Sequence, residues 1–449
     1  MKIENVVFKK IELWVVLLII IAMILGSIFF GALVLSNQKK IKFVFNSDSA
    51  SKIANIPIQI YDTLTSEKSL KKQAKEAMTP TGFKSKEQRF GKKDGVIFDK
   101  KFKDNKIVVI PHFCVAQQEW CIELFDLETH KTKKIFVGEN IKKAIMEERP
   151  EKKDFASGVV SSPFAPRFNS DGDVTFSVGA GLLIQVNNKG ETNWVKSDFF
   201  YHHTFNFSKD KSIIWAIGYD INNKSYLDPM YKYDKLKNDL IIKLHAKTGK
   251  VLGVFSILNA LIDANLHNYL FVGREDRSFP DPMHINDVQP VLEKSNYFEP
   301  GDIFVSLAHA NMVLLYDTDS KKIKWSETRN LFHQHDIDIL SNNSIAVFNN
   351  NRIITDSDKV FKHNEILQYD FETGRFTKLF QDVMKKNDIR TINQGLFDII
   401  GNLFFVEENN SGRVLIFDKK NLIFEYYSKS EDNFPINTSW GYVEDNSSI

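Results

Sequence analysis

The chain has almost no charge to spare: 59 Lys and Arg stand against 57 Asp and Glu in 449 residues, a formal charge of +2. Binding a phosphate backbone needs a concentrated basic face, so this balance excludes nucleic acid as the main partner, and the local lysine pairs read as solvated surface. Cysteine is scarce, with two residues, Cys114 and Cys121. They flank an expected hairpin turn in IPHFCVAQQEWCIELF, where a cross-strand disulfide and two quiet buried thiols both fit the spacing. Helical periodicity of any strength is also missing beyond the N-terminus. In its place, short apolar runs rich in the chain's 37 Phe alternate with Asn, Asp, Gly and Lys turns, which is the pattern of strands.

Charge is absent altogether from Leu13 to Leu35, a run of the length, about 20 residues, that spans a bilayer. A cleavable signal peptide has a shorter apolar core and a small-x-small cleavage site, and this run ends in Leu-Val-Leu-Ser without one. The expectation is an uncleaved transmembrane anchor over 13–35, after a short tail, 1–12, and before a polar, lysine-rich spacer, 36–79. Lys9 and Lys10 on one side and Lys39, Lys40 and Lys42 on the other leave the positive-inside rule silent on orientation.

Residues 80–449 carry an internal repeat. A strand, a polar turn and a second strand recur as IELFDLETHKTKKIF from Ile122, LLIQVNNKGETNW from Leu182 and LIIKLHAKTGKVLGVF from Leu240. The unit returns as MVLLYDTDSKKIKW from Met312, EILQYDFETGRFTKLF from Glu365 and RVLIFDKKNLIFEYY from Arg413. Six copies at intervals of roughly 50 to 70 residues predict an all-β fold, a six-bladed β-propeller, preceded by the one N-terminal transmembrane helix.

Six of the eleven histidines sit in short segments: His202-His203, His284, His309 and His333-Gln334-His335. Imidazole serves as base, acid, nucleophile or metal ligand near neutral pH, so its grouping matters more than its number. In a propeller the innermost strand of a blade follows the outer hairpin of the blade before it. His203, His335 and Gln394 lie at similar offsets beyond their hairpins, which places them around one end of the central channel. His284 arrives later, after an insertion containing Arg274 and Arg277. Asp336 or Asp338 is a candidate for fixing a histidine tautomer, although regular alternation puts both carboxylates on the face opposite His335. The same alternation separates Ala308 from His309, and Asn349-Asn350-Asn351 fits a turn better than the alternative, a polar layer near the site.

Several segments resemble the arylsulfotransferase family, the bacterial aryl-sulfate sulfotransferases. They are YHHTFNFSKDKSIIWAIG from Tyr201, DPMHINDVQPV from Asp281, GDIFVSLAHANMVLLYD from Gly301, FHQHDIDILSNNSIAVFNNN from Phe332 and TINQGLFDIIGNLFFVEENNSGRVLIFD from Thr391. The resemblance implies a propeller on the periplasmic or outer side of the membrane. It also implies cofactor-free transfer of a sulfuryl group from a phenolic sulfate to a phenolic acceptor, by ping-pong chemistry through a sulfated histidine. By position His335 is then the nucleophile, and His284, His203 and His202 stabilise sulfuryl oxygens or exchange protons with the phenolic oxygen. Asn286, Gln334, His333, His309, Arg274 and Arg413 become candidate substrate contacts. One departure is plain: where the family carries an arginine, this chain has Ser306-Leu307-Ala308-His309, so a fixed cation for sulfate oxygens is missing there.

Two other readings stay open: a propeller that binds an anionic or aromatic ligand or a protein partner without turnover, and a histidine-rich site for zinc, copper or nickel. His112, His130, His245, His267 and His363 read as structural or surface residues.

Overall fold

The computed structural model describes residues 15–18, 20–23, 26, 93, 95–155, 162–220, 237–271, 281–352, 363–428 and 438–446. The chain divides into two units, 1–75 and 76–449. In the first, the described residues are helical, with Leu17, Leu18, Ile21 and Met23 exposed. Among the described residues no helix is long and apolar enough to cross a membrane. The tail 1–12, the spacer 36–79 and much of the expected 13–35 span lie outside the described residues.

The second unit is a six-bladed β-propeller. Each repeated hairpin read from the sequence falls on the third and fourth strands of a blade, from Glu119–Asp126 with Thr132–Phe136 in the first to Arg413–Asp418 with Asn421–Tyr427 in the sixth. The innermost strands, from blade one to blade six, are Tyr442–Asp445, Pro163–Phe168, Phe200–Phe207, Ile285–Pro290, His335–Ser341 and Leu396–Ile400. Middle strands such as Val174–Val178 and Leu182–Val186 are buried at every position, because each sheet packs against a neighbour on both faces. The apolar core is accordingly divided into six clusters, one for each pair of adjacent blades.

Both ends of the unit close the ring. Gly95–Phe98 adds a fifth, outermost strand to blade six, pairing with Phe424 to Tyr427, while Tyr442–Asp445 supplies the innermost strand of blade one by pairing with Lys106 to Val109. Buried carboxylates join successive blades near the axis. Asp239 accepts from the Ile285 N–H at 2.9 Å, Asp287 from Ile337 at 2.8 Å, Asp336 from Phe397 at 2.8 Å, and Glu407 from both Trp440 at 3.0 Å and Gly441 at 2.6 Å.

This staple corrects the expected role of Asp336: its carboxylate serves blade six and leaves the His335 tautomer to another group. Burial, followed by the like charges of Asp398 and Asp287, raises the carboxyl of Asp338 well above the ordinary value, and burial raises Asp398 to about 6. Both side chains keep partial contact with solvent, which screens the repulsion. A folded pKa above the unfolded one means stability is lost as pH rises from about 4 towards the folded value. Asp338→Asn is therefore expected to raise stability at pH 8 and to change little at pH 4. Urea denaturation at both pH values checks this; equal effects at the two would refute it.

Candidate functional site

A repeated backbone device puts the site where it is. Near the start of each innermost strand one or two non-glycine residues adopt a left-handed conformation: Ala165 (φ 50°), His203 (54°), His284 (49°), His333 (55°), Asp336 (49°), Gln394 (58°) and Trp440 (63°). Register shifts accompany them at Phe164/Arg167, Ile285/Asp287 and His335/Ile337. Each such residue costs about 1 kcal/mol or more, and bulges of this kind re-aim side chains near functional sites. They also break the simple alternation expected around His335.

Five imidazoles converge as a result. Ring centroids are 4.7 Å apart for His203 and His284, 4.1 Å for His284 and His309, 5.4 Å for His309 and His333, and 5.3 Å for His333 and His335. His203 and His335, 6.5 Å apart, complete the circuit. Blade two adds Phe164, 6.0 Å from His203, and blade one adds Trp440, 6.3 Å from His335. His309 reaches the cluster because the strand ends at Leu307, so alternation with Ala308 no longer applies. His309 therefore stands with the candidate contacts named from the sequence.

Hydrogen bonds fix the tautomers. Asn350 donates its amide N–H to Gln394 O at 2.6 Å and Thr391 O at 3.3 Å, so its Oδ1 faces His335 Nδ1 at 2.7 Å. Nδ1 therefore carries the proton, also 3.2 Å from His333 O, and Nε2 keeps a lone pair, capped by the Gln394 N–H at 3.2 Å. His284 Nδ1 donates to the Asp281 carboxylate at 2.7 Å, and His309 Nδ1 to the Asp281 carbonyl at 2.7 Å. His203 and His284 share one proton between Nε2 atoms 3.0 Å apart.

Electrostatics reinforce this arrangement. Burial pushes His335 down to about 3, against opposing help from Asn350, and pushes His203 and His333 well below the ordinary imidazole value. These three are neutral at physiological pH. Burial alone would raise Asp281, but the His284 hydrogen bond and the charges of His284, Lys237 and His309 hold it well below the usual carboxylate range.

Among the described residues, two cations flank the cluster. Lys237 Nζ is 3.7 Å from Asp281, and Arg352, hydrogen-bonded to Asn393, depresses both His333 and His335 by its charge. Arg352 follows the three asparagines that read as a turn from sequence. Those asparagines are buried, and Asn350 holds the central histidine.

Other expected site residues lie elsewhere. His202 sits against Asp239 at 3.3 Å and the Tyr219 ring, one layer behind His203. Gln334 spends its amide N–H groups on Ser306, Leu307 and Met312 in blade four, and Asn286 donates to Gln334 O at 2.8 Å, so both brace blades. Arg413 is buried against Glu408 at 2.5 Å and donates to Asn387 O at 2.7 Å. Arg274 and Arg277 lie outside the described residues. Cys114 and Cys121 are joined as a disulfide in blade one. Of the cluster's donors, Asp281, His284 and His309 each offer a ligand atom within 4.8 Å of the others, a set that suits a transition metal.

No curated protein matches the chain. Among solved structures, a protein of unknown function from Bacteroides caccae aligns with 75% of this chain and 97% of its own at 11% identity, with a TM-score of 0.44. Virginiamycin B lyase from Staphylococcus aureus (12% identity, 60% and 71% covered, TM-score 0.33) and BamB from Moraxella catarrhalis (12%, 75% and 76%, 0.33) are similarly distant. None is near enough to carry an argument about function. A family model does match, the arylsulfotransferase (ASST) model over residues 168–429, more than half of the chain, and the protein therefore belongs to the arylsulfotransferase family.

Proposed function

We propose that the propeller moves a sulfuryl group from an aryl sulfate to a phenolic acceptor through His335, without a cofactor. The observation that carries this reading is the buried, neutral imidazole of His335, with its Nδ1 proton fixed on Asn350 and its Nε2 lone pair under a single long hydrogen bond. In the first displacement Nε2 attacks sulfur, the sulfur–aryloxide bond breaks, and the leaving oxygen takes the proton shared by His203 and His284. Asn350 Oδ1 steadies the positive charge that develops on the N-sulfonated ring. In the second, a new phenol returns its proton to that pair, its oxygen attacks sulfur, and the sulfur–nitrogen bond breaks.

Charge on the sulfuryl oxygens calls for cations, which Arg352 and Lys237 supply in place of the arginine missing at Ala308. Phe164 and Trp440, 5.3 Å apart, offer an apolar wall for an aryl ring. Arg352→Ala is expected to raise KM for an aryl sulfate about tenfold, with Arg352→Lys in between; steady-state kinetics on both would show it, and unchanged KM would remove Arg352 from the site. Because His335 stays unprotonated until about pH 3, kcat/KM should remain level from pH 7.5 down to about pH 5. An acid limb centred near 6.5, the ordinary imidazole value, would contradict the proposed nucleophile.

Chromogenic phenyl sulfate with a phenol acceptor tests the whole reading. No phenol release across several donors would leave the alternative of a ligand-binding propeller, which Ala308 favours. Elemental analysis of the same preparation tests a metal on Asp281, His284 and His309. We further place the apolar run 13–35 in a membrane, with the propeller outside the cytoplasm, on the strength of its length and lack of charge. Deleting residues 1–35 should release the protein from the membrane fraction, and protease added to intact cells or spheroplasts should reach the propeller.

A further inference from the structure

The hairpin of blade one carries a second constellation, remote in sequence from the histidine cluster. His112, Cys114, Cys121 and Glu123 are all buried, between 0% and 7% exposed. The register pairs His112 with Cys121 and Ile110 with Glu123, and alternation along each strand puts these four side chains on one face. His112 Nε2 lies 2.8 Å from Glu123 Oε2, 3.5 Å from Cys121 Sγ and 3.9 Å from Cys114 Sγ. The two sulfurs are bonded to each other.

We propose that reduction of this disulfide converts the hairpin into a binding site for one zinc ion, held by His112 Nε2, both cysteine sulfurs and Glu123. The distances fit. With Zn–N and Zn–O near 2.1 Å and Zn–S near 2.3 Å, a tetrahedral site separates nitrogen from sulfur by about 3.6 Å, which the two observed separations bracket. Nitrogen and oxygen need to part by about half an ångström, and the sulfurs to open to about 3.8 Å by rotation of the two cysteine side chains.

The outer contacts are those of a metal-ligating imidazole. His112 Nδ1 lies 3.2 Å from Phe113 O, an acceptor that takes the Nδ1 proton and leaves Nε2 as the ligand atom. Lys134 Nζ, 3.3 Å from Glu123, completes the charge balance: two positive from zinc and one from lysine against two thiolates and one carboxylate. A buried site with zero net charge avoids the cost of an unpaired interior ion. The chemistry balances with a phosphine reductant. The phosphine takes an oxygen atom from water, the sulfur–sulfur bond becomes two thiols, and both thiol protons pass to the buffer as the metal binds. In a cell the reductant class is a dithiol.

The test uses the full chain in detergent, reduced with a phosphine and titrated anaerobically with cobalt(II) as the spectroscopic stand-in for zinc. One equivalent should produce intense thiolate-to-cobalt absorption and tetrahedral visible bands, both erased by zinc. Unreduced protein should show neither. Cys114→Ser should lose most of the thiolate absorption, and His112→Ala should weaken zinc binding at least tenfold. Reduced wild type that keeps its β-propeller circular dichroism but gives no thiolate bands at one equivalent overturns the proposal, as do bands undiminished in Cys114→Ser. Wild-type spectra decide the matter even if a variant fails to fold. Aryl sulfate turnover, measured on the same samples, reports separately on His335.

Discussion

On the proposed mechanism, His335→Ala is expected to lose aryl sulfate turnover by at least about a thousandfold, the scale on which removal of a covalent nucleophile is felt. His335 is 1% exposed, neutral, and held at both ring nitrogens, with its Nδ1 proton on the amide oxygen of Asn350 and its Nε2 lone pair under the Gln394 N–H. His284 and His309 have fixed Nδ1 protons too, but His284 shares its Nε2 with His203, and His309 stacks on His284. The variant leaves Asn350 Oδ1 and the Gln394 N–H without their partner, a cost of about 1 to 3 kcal/mol, so it should fold with a lowered melting temperature. Donor hydrolysis and transfer are to be measured on folded protein at one temperature. Turnover within tenfold of wild type would end the covalent mechanism.

Asn350 then acts as a positioning residue, with its own signature. Asn350→Asp places an anion on Nδ1, favours the imidazolium, and should move the acid limb of kcat/KM upward from near 3 towards neutrality, a shift that a purely structural role would not produce.

The architecture was legible because blade hairpins repeat: each of the six sequence copies lands on the third and fourth strands of a blade, where a polar turn must separate two apolar runs. The placing of His203 and His335 around one end of the channel followed from the same periodicity, whereas His284 comes after an insertion that the repeat does not describe. Their neighbours were less readable. Asn350 and Arg352 sit in a polar stretch that resembles an exposed turn by composition, and only the burial of Asn349, Asn350 and Asn351 distinguishes it. Alternation assumes a regular strand, and the chain leaves that regularity at Leu307 and at the His335/Ile337 bulge, so it gave no sure guide to the side chains beside them. Gln334 and Asn286 look like site residues by adjacency, yet short polar side chains beside a bulge find backbone partners in the next blade first. Ring closure was invisible, since neither Gly95–Phe98 nor Tyr442–Asp445 belongs to a repeat and each pairs with residues more than three hundred positions away.

That closure sets the second large effect, because Glu407→Ala should destabilise the propeller by about 3 to 5 kcal/mol, a large part of the 5 to 15 kcal/mol typical of a folded domain. Glu407 is fully buried in blade six and accepts from Thr438 Oγ1 at 2.8 Å and from the backbone N–H groups of Trp440 and Gly441. Alanine strands all three donors where the C-terminal strand enters blade one, so the loss concerns ring closure as well as local packing. Glu407→Gln retains one oxygen and should cost less. Burial raises the Glu407 carboxyl, so wild type itself loses stability as pH climbs from the unfolded value of about 4.3 towards the raised folded one. The advantage of wild type over Glu407→Gln should consequently be greatest near pH 4 and shrink by pH 8. Gly441→Ala offers an independent probe, because an added Cβ would meet the Val109 carbonyl, a backbone atom of the strand that receives Tyr442–Asp445. Denaturant midpoints for the three variants measure the effect. If Glu407→Ala and Gly441→Ala both unfold within about 1 kcal/mol of wild type, the C-terminal strand is not what holds the ring shut.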